Sequence, residues 1–455
     1  MKKHITLSLM AVGLLGSANL QAADDLSTMF SEGKASGQIR AFSISRSMDY
    51  SKVGVEDFTR TANAIGGYLK YETADFKGLN FGAAFYTTNG FANRSDRTSK
   101  KFDPTLLGKD NESYSILGEA YIAYNAKELG SQTNIKLGRQ KLDTPMAGSD
   151  DARMLPNLFE AVVVSNTDIP DTTLIAAHVT RFAQGTFGRA YGAGGILSGT
   201  SGYSVVDPSN QVGDFENMGS YAVGKKTDGV SVLAATYTGV KGLKLQLWDY
   251  YAHDILNVVY GEVDFSWKCL LSDSVKPFVA AQFIKENDVG DKELKAVGGN
   301  GKIDSLYWGA KVGASIENFT AYVAYSQTSK NSASDAAYAN AIASPWGGMP
   351  AYTQGMVTRH QFLAGTKATK LAVSYNFKDI GLKTIAYYAN FDMDKHNGYT
   401  YGDADEYGFD FIYNTPFVKN LQLRLRANYA RDFNVNATGD TTSWDEYRFI
   451  ANYTF

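Results

Sequence analysis

Leu421-Gln422-Leu423-Arg424-Leu425-Arg426-Ala427-Asn428-Tyr429 decides the fold class. Its odd positions are Leu, Leu, Leu, Ala and Tyr, and its even positions are Gln, Arg, Arg and Asn. Successive side chains of a β-strand point to opposite faces, so this segment has one apolar face and one charged face. The last segment of the chain repeats the pattern. Tyr447, Phe449, Ala451, Tyr453 and Phe455 share one face, and Glu446, Arg448, Asn452 and Thr454 share the other, with Ile450 as the exception. An Arg on the lipid side of a membrane strand costs roughly 2–4 kcal/mol near the bilayer midplane, so Arg424 and Arg426 have to face water. The leucines between them need a medium without it.

The same period runs back through the chain. Leu79, Phe81, Ala83 and Phe85 alternate with Asn80, Gly82, Ala84 and Tyr86. Ile116, Gly118, Ala120 and Ile122 alternate with Ser115, Leu117, Glu119 and Tyr121. Leu243, Leu245 and Leu247 alternate with Lys244, Gln246 and Trp248, and Val263, Phe265 and Trp267 with Glu262, Asp264 and Ser266. The first segment, about Gln38 to Ser45, is weaker, because Phe42 and Ile44 share a parity with Arg40. Connection lengths add a second signal. Short links near 74–78, 126–130, 166–171, 239–242, 268–273, 315–318, 378–381 and 414–420 alternate with long polar ones near 47–60, 89–112, 140–157, 184–227, 285–304, 328–366, 392–403 and 433–444. The link at 253–256 is the one short exception. Short periplasmic turns alternating with long extracellular loops are the pattern of an outer-membrane barrel. The expectation is an all-β, transmembrane, antiparallel up-and-down β-barrel of about eighteen strands.

Composition agrees. The chain of 455 residues has 44 glycines, 9 prolines, 29 tyrosines and 25 phenylalanines, a mix that suits strands and tight turns. Its 44 Lys+Arg against 47 Asp+Glu leave no basic excess for binding nucleic acid. Cys269 stands alone, so no intramolecular disulfide is expected. Lys2 and Lys3, the apolar stretch Ile5 to Gly16 and the small, polar run Ser17 to Ala22 read as a signal peptide cleaved after Ala22. Residues 23–455 then form a single barrel domain. A soluble sandwich would need an apolar interior between its sheets. Here the polar faces carry Lys70, Glu72, Glu119, Lys136, Arg424, Arg426 and Arg448 opposite faces rich in Tyr and Phe. A barrel with lipid outside and water inside satisfies both. Sixteen to eighteen strands leave an aqueous channel. Only about a dozen residues separate Ala22 from the first strand, too few for the plug of an active transporter.

A wide tube needs something folded inward to be selective. The loop at about 140–158 is the candidate, because Met146, Met154, Leu155 and Leu158 have no use at a solvated tip. The run Leu137-Gly138-Arg139-Gln140, Asp143-Thr144-Pro145, Asp150-Asp151-Ala152-Arg153, Leu155-Pro156 and Phe159-Glu160 resembles the third loop of the OprD-type porins. These are substrate-selective outer-membrane channels of Gram-negative bacteria. Gln38-Ile39-Arg40 also resembles their first strand. The likeness spans the chain in organisation and is sharp over about twenty-five residues. It implies an eighteen-stranded barrel narrowed by its third and seventh loops, with a ladder of wall cations guiding carboxylate-bearing solutes past opposed acidic residues. Carried over, the ladder is Arg40, Lys70, Lys136, Arg424, Arg426 and Arg448, and the constriction is Asp143, Asp150, Asp151 and Arg153. Arg40, Arg424, Arg426 and Arg448 come to one wall if the first and last strands adjoin. The bland alternative is that these cations only solvate the lumen, paired with Glu72, Glu119 or Glu446, and that Arg153 only holds its loop. The seventh loop, about 328–366, carries Pro345, Trp346 and Pro350 but no family motif.

The function expected is passive diffusion of small polar solutes, carboxylate-bearing metabolites or amino acids first. The alternatives are a non-selective general diffusion porin and a surface adhesin. An enzyme is not expected: besides His360 and His396 the mature chain has His178 and His253, which have no serine or acid at a suitable spacing except the adjacent Asp254. No cofactor or metal is expected; Asp288, Asp291 and Glu293 lack the spacing of a calcium loop. Expected partners are outer-membrane lipids and lipopolysaccharide, and the outer-membrane assembly machinery through the terminal Phe455, with the protein a monomer or homotrimer.

Overall fold

The computed structural model describes residues 23–455, apart from 51, 53, 93–95, 192–193, 208–211, 401 and 437. The signal-peptide assignment, on residues 1–22, lies outside the described residues. Eighteen long strands are present among those described. They are β1 Lys34–Asp49, β2 Phe58–Glu72, β3 Leu79–Gly90, β4 Tyr114–Asn125, β5 Thr133–Gln140, β6 Leu158–Asn166, β7 Thr172–Ala183, β8 Val230–Tyr237 and β9 Leu243–Ala252. β10 Leu256–Ser266, β11 Val275–Asp288, β12 Asp304–Ile316, β13 Phe319–Thr328, β14 Lys367–Phe377, β15 Leu382–Asp392, β16 Ala404–Asn414, β17 Leu421–Val435 and β18 Thr441–Thr454 complete them. A two-residue ladder at Glu216–Asn217 extends the edge of β7 inside the loop that follows it.

Each strand pairs antiparallel with the next, and β18 pairs with β1 from Gln38 opposite Thr454 to Asp49 opposite Ser443. The sheet is therefore a closed barrel. The terminal residue joins the closure: Phe455 N–H donates to Gly37 O at 3.1 Å, and Gly37 N–H donates to Phe455 O at 3.0 Å. Short turns close at left-handed glycines, as at Gly130 (φ 78°) and Gly381 (φ 72°), which end single 3-10 turns where a side chain would be strained. A short N-terminal helix, Leu26–Ser31, is capped by Asp25 and seats Met29 against Ala23 and Ala74.

The outer surface is a belt of exposed apolar residues. Leu69, Leu137, Leu233, Leu247, Val312, Leu371, Leu425 and Phe449 are each near half exposed or more, and all lie on the outward parity of their strands. Apolar area on this scale belongs against lipid.

Inside, the polar parity is not uniformly wet. Phe42, Ile44 and Ile450, which break the alternation, pack with Ala62, Tyr86, Phe102, Leu106, Met154, Leu155 and Leu158. The wall between β18 and β3 is thus apolar where loops lie on it. One strand corrects the simple alternation. A bulge at Gly118 opposite Ala84 and Phe85 shifts the register. Leu117 moves from the face it shares with Glu119 in the sequence pattern to the lipid face, where it is 46% exposed, while Glu119 stays inside.

The lipid belt makes a sided prediction. Leu425→Arg should lower folding stability by roughly 2–4 kcal/mol, whereas luminal Gln422→Arg should change it by less than about 1 kcal/mol. Equilibrium denaturant titration into lipid vesicles measures both.

Candidate functional site

The third loop, residues 141–157, is pinned to the inner wall by charge. Arg40 on β1 reaches it with one guanidinium nitrogen 2.6 Å from Asp151 Oδ1 and 2.5 Å from Arg153 O, while its Nε donates to Asn452 at 2.9 Å. The partial desolvation of Asp151, a third of whose side chain is exposed, is outweighed by the Arg40 guanidinium against it, which holds its carboxyl below the usual carboxylate range. Arg153, fully buried, donates to Glu446 Oε1 at 3.1 Å and to Thr105 at 3.1 Å. Glu446 also accepts from Arg46 at 2.7 Å and from Arg448. One buried carboxylate thus takes three arginines, and Asp103 lies 4.0 Å beyond Arg46.

Three loops meet at Asp150. Its backbone is left-handed, φ 41°, and its carboxylate accepts from Tyr203 at 2.7 Å, from Gly348 N–H at 3.3 Å and from Arg359 at 3.5 Å. Tyr203 belongs to the loop after β7, and Gly348 and Arg359 to the loop after β13. Arg359 also donates to Ser201 O at 2.6 Å, which ties those two loops together. The loop after β7 packs Ile196, Val205, Met218 and Tyr221, and the loop after β13 packs Tyr338, Trp346 and Phe362, into one apolar core with Met146 and the wall residues Trp248, Tyr250 and Tyr307. The third and seventh loops pack residues on the wall of the barrel. The fourth does so too, and the sequence reading missed it; its apolar residues at 196, 205, 218 and 221–223 were the available signal. Asp143 stays within its own loop, accepting from Ser149 N–H at 3.2 Å, with Lys141 at 4.0 Å.

The structure brings Arg40, Arg424, Arg426 and Arg448 to one wall. Arg426 sits opposite Arg448 across the β17–β18 ladder. Arg424 pairs with Asp410 through two contacts of 2.8 and 2.5 Å, and Arg426 lies 3.3 Å from the same carboxylate. Their side chains are 29% and 16% exposed, against 1% for Arg448. Arg424 and Arg426 therefore face the water that Arg448 does not. Lys70 and Lys136 stand elsewhere. Lys70 bridges Glu72 and Glu119 at 3.3 Å each, and Lys136 lies 3.7 Å over the Tyr121 ring. Four partners were not singled out from sequence: Arg46, Asp103, Asp410 and Arg359. Arg46 and Asp410 were findable, because they share the inward parity of their strands.

A closed barrel of eighteen strands with long loops packed inside it has the architecture of a channel. A family model described as outer membrane porin, OprD family, matches residues 34–455. The chain belongs to the OprD family of outer membrane porins. Solved structures that this OprD-family porin resembles include three from Pseudomonas aeruginosa. They are OccK9 (OpdG), with 18% identity, TM-score 0.71 and coverage of 94% of this chain and 99% of that one; OpdK with vanillate, with 15%, 0.68, 93% and 98%; and OccK8 (OprE), with 16%, 0.67, 94% and 99%. At these identities the likeness is one of fold. No curated protein matches the chain. The family places the porin in the outer membrane as a channel for small solutes, and its fold is that of channels rather than enzymes.

Removing one partner of a buried ion pair costs about 3–5 kcal/mol, because it strands the other charge. Glu446→Gln in this porin should reach that range and loosen the third loop. The readouts are a lowered thermal midpoint and faster protease cleavage between residues 141 and 157.

Proposed function

We propose that this OprD-family porin is a passive channel selective for small polar solutes that carry a carboxylate. One observation carries the reading: among the described residues, the wall of β16 to β1 and the loops on it bring together Arg40, Arg46, Arg153, Arg424, Arg426 and Arg448 with Asp103, Asp151, Glu406, Asp410 and Glu446. Cations outnumber anions there. A low-dielectric tube focuses the excess field onto a passing anion. The excess is presented to water at Arg424 and Arg426, which share one carboxylate between them. Arg40 and Arg153 hold the loop and Arg448 holds the Glu446 carboxylate beneath it, so the ladder of this reading is short and centred on β17. Lys70 and Lys136 are a separate step near Glu72 and Glu119. Several weak positions allow a solute to leave as well as enter.

Asp150 does not serve as an opposed acid in this reading, since Arg359 and Tyr203 enclose it; Asp151 keeps 32% of its side chain exposed, but Arg40 answers its charge. The OpdK crystal structure was solved with vanillate, a carboxylate, which supports the same class of solute here. The reading extends to export by the N-terminal leader, recognition of Phe455 by the assembly machinery, contact with lipopolysaccharide, and assembly as a monomer or homotrimer.

Planar-bilayer recording of the mature protein under a salt gradient tests it. Modest conductance blocked by particular carboxylates supports selectivity. Large conductance with weak ion preference and no block makes it a general diffusion porin, and no conductance favours an adhesin. Replacing Arg424 and Arg426 by Gln should lower the anion-to-cation permeability ratio by roughly two- to tenfold, read from the reversal potential.

A further inference from the structure

The inner wall opposite the arginines has its own chemistry. In a ring of eighteen strands, β10 lies nine positions from β1 and β9 nine from β18, so these strands face each other across the bore. A cavity of about 310 Å³ opens on this wall, under Pro145 of the third loop and Pro350 to Gly355 of the seventh. Gln246, Glu262, Gln282 and Lys311 line it from the barrel, and Tyr352 from the seventh loop.

We propose that this cavity binds an uncharged polyhydroxylated ring of monosaccharide size. Charge balance is the first argument. Glu262 and Asp264 share the luminal parity of β10; Lys311 Nζ lies 3.6 Å from Asp264, and Lys244 stands opposite Asp264 across the β9–β10 ladder. This wall has no excess field with which to capture an ion, in contrast to the arginine wall. It selects through hydrogen bonds.

The second argument is capacity. Glu262 accepts from Gln246 Nε2 at 2.9 Å and from Tyr260 OH at 2.5 Å, and each carboxylate oxygen keeps a lone pair. Lys311 is held by one carboxylate and by the Tyr352 ring, 4.1 Å away, and keeps donors to spare.

Gln282 supplies the independent observation. It is 4% exposed and its amide nitrogen donates to Pro350 O at 2.9 Å and Tyr307 OH at 3.2 Å, yet its Oε1 has no partner. A buried amide oxygen without a donor is uncommon, and a small rotation of the Gln282 side chain, which lines the cavity, would bring it to a ligand hydroxyl. Carboxylate, ammonium and amide groups around the flat face of Tyr352 match a ring with hydroxyls at its rim and C–H groups on its faces. This binding point stands independently of the carboxylate reading.

The test is channel recording with glucose and myo-inositol, using glycerol at matched viscosity as the control. The expected result is a saturable block by both rings beyond the glycerol effect. Tyr352→Ala and the nearly isosteric Gln282→Met should each weaken the block by roughly fivefold, through loss of the ring contact in the first and of about one hydrogen bond in the second. Folding of each variant is checked by heat-dependent gel migration, and Gln282→Met carries the test if Tyr352→Ala does not fold. Glucuronate separates the two sources of such a ring. Block equal to that of glucose means the neutral ring is recognised alone, and tighter block means a sugar acid spans both walls. Block by glucuronate without block by glucose overturns the proposal, as does block by glucose that both variants leave unchanged. Loss of anion preference in the Arg424/Arg426 variant with sugar block intact would separate this binding point from the carboxylate reading.

Discussion

Glu446 under three guanidinium groups is the interaction on which the channel interior depends. A carboxylate with no access to water is tolerated only when its charge is answered, and Arg46, Arg153 and Arg448 answer it from the first strand, the third loop and its own strand. Because Arg153 comes from the loop, satisfying the buried charge also draws the loop inward. The apolar contacts of Met154, Leu155 and Leu158 with Phe42 and Ile44 then have a fixed place to form. Charge sets the position and hydrophobic burial holds it. This part of the barrel is a packed core rather than a lumen.

The width of the channel therefore belongs to the loops more than to the strands. Eighteen strands enclose far more space than a small solute needs. The third, fourth and seventh loops fill the excess and converge on Asp150, whose carboxylate accepts from Tyr203, Gly348 and Arg359 together. A left-handed backbone at a non-glycine residue is a local cost that this convergence offsets.

Strand number, direction of alternation and closure were readable in the sequence, because a lipid-facing residue and a water-facing residue differ in kind and recur every second position. Leu425 and Arg426 could not exchange faces. The candidate site was readable only in part. Arg40, Arg424, Arg426 and Arg448 were found as inward cations, but parity says nothing about what sits opposite. It could not show that Arg40 and Arg448 are consumed in holding structure while Arg424 and Arg426 remain near water. The mixed faces of Phe42, Ile44 and Ile450 looked like noise in the pattern. They were evidence that loops cover the inner wall there. The fourth loop was missed for a related reason: its apolar residues are scattered at no strand period, so only its tertiary contacts reveal them as core.

The pairing of β1 with β18 has a temporal consequence. Arg40 and its partner Asn452 stand 412 residues apart in the chain. The ladder between them is the most non-local one a chain of this length can make, and non-local pairing is slow to form. Until the final strand is delivered, the sheet has two unpaired edges and a wide apolar face, both prone to joining other chains. The half-made molecule is thus a hazard that the finished one is not. The chain has to be kept apart from its copies until its last residue meets Gly37.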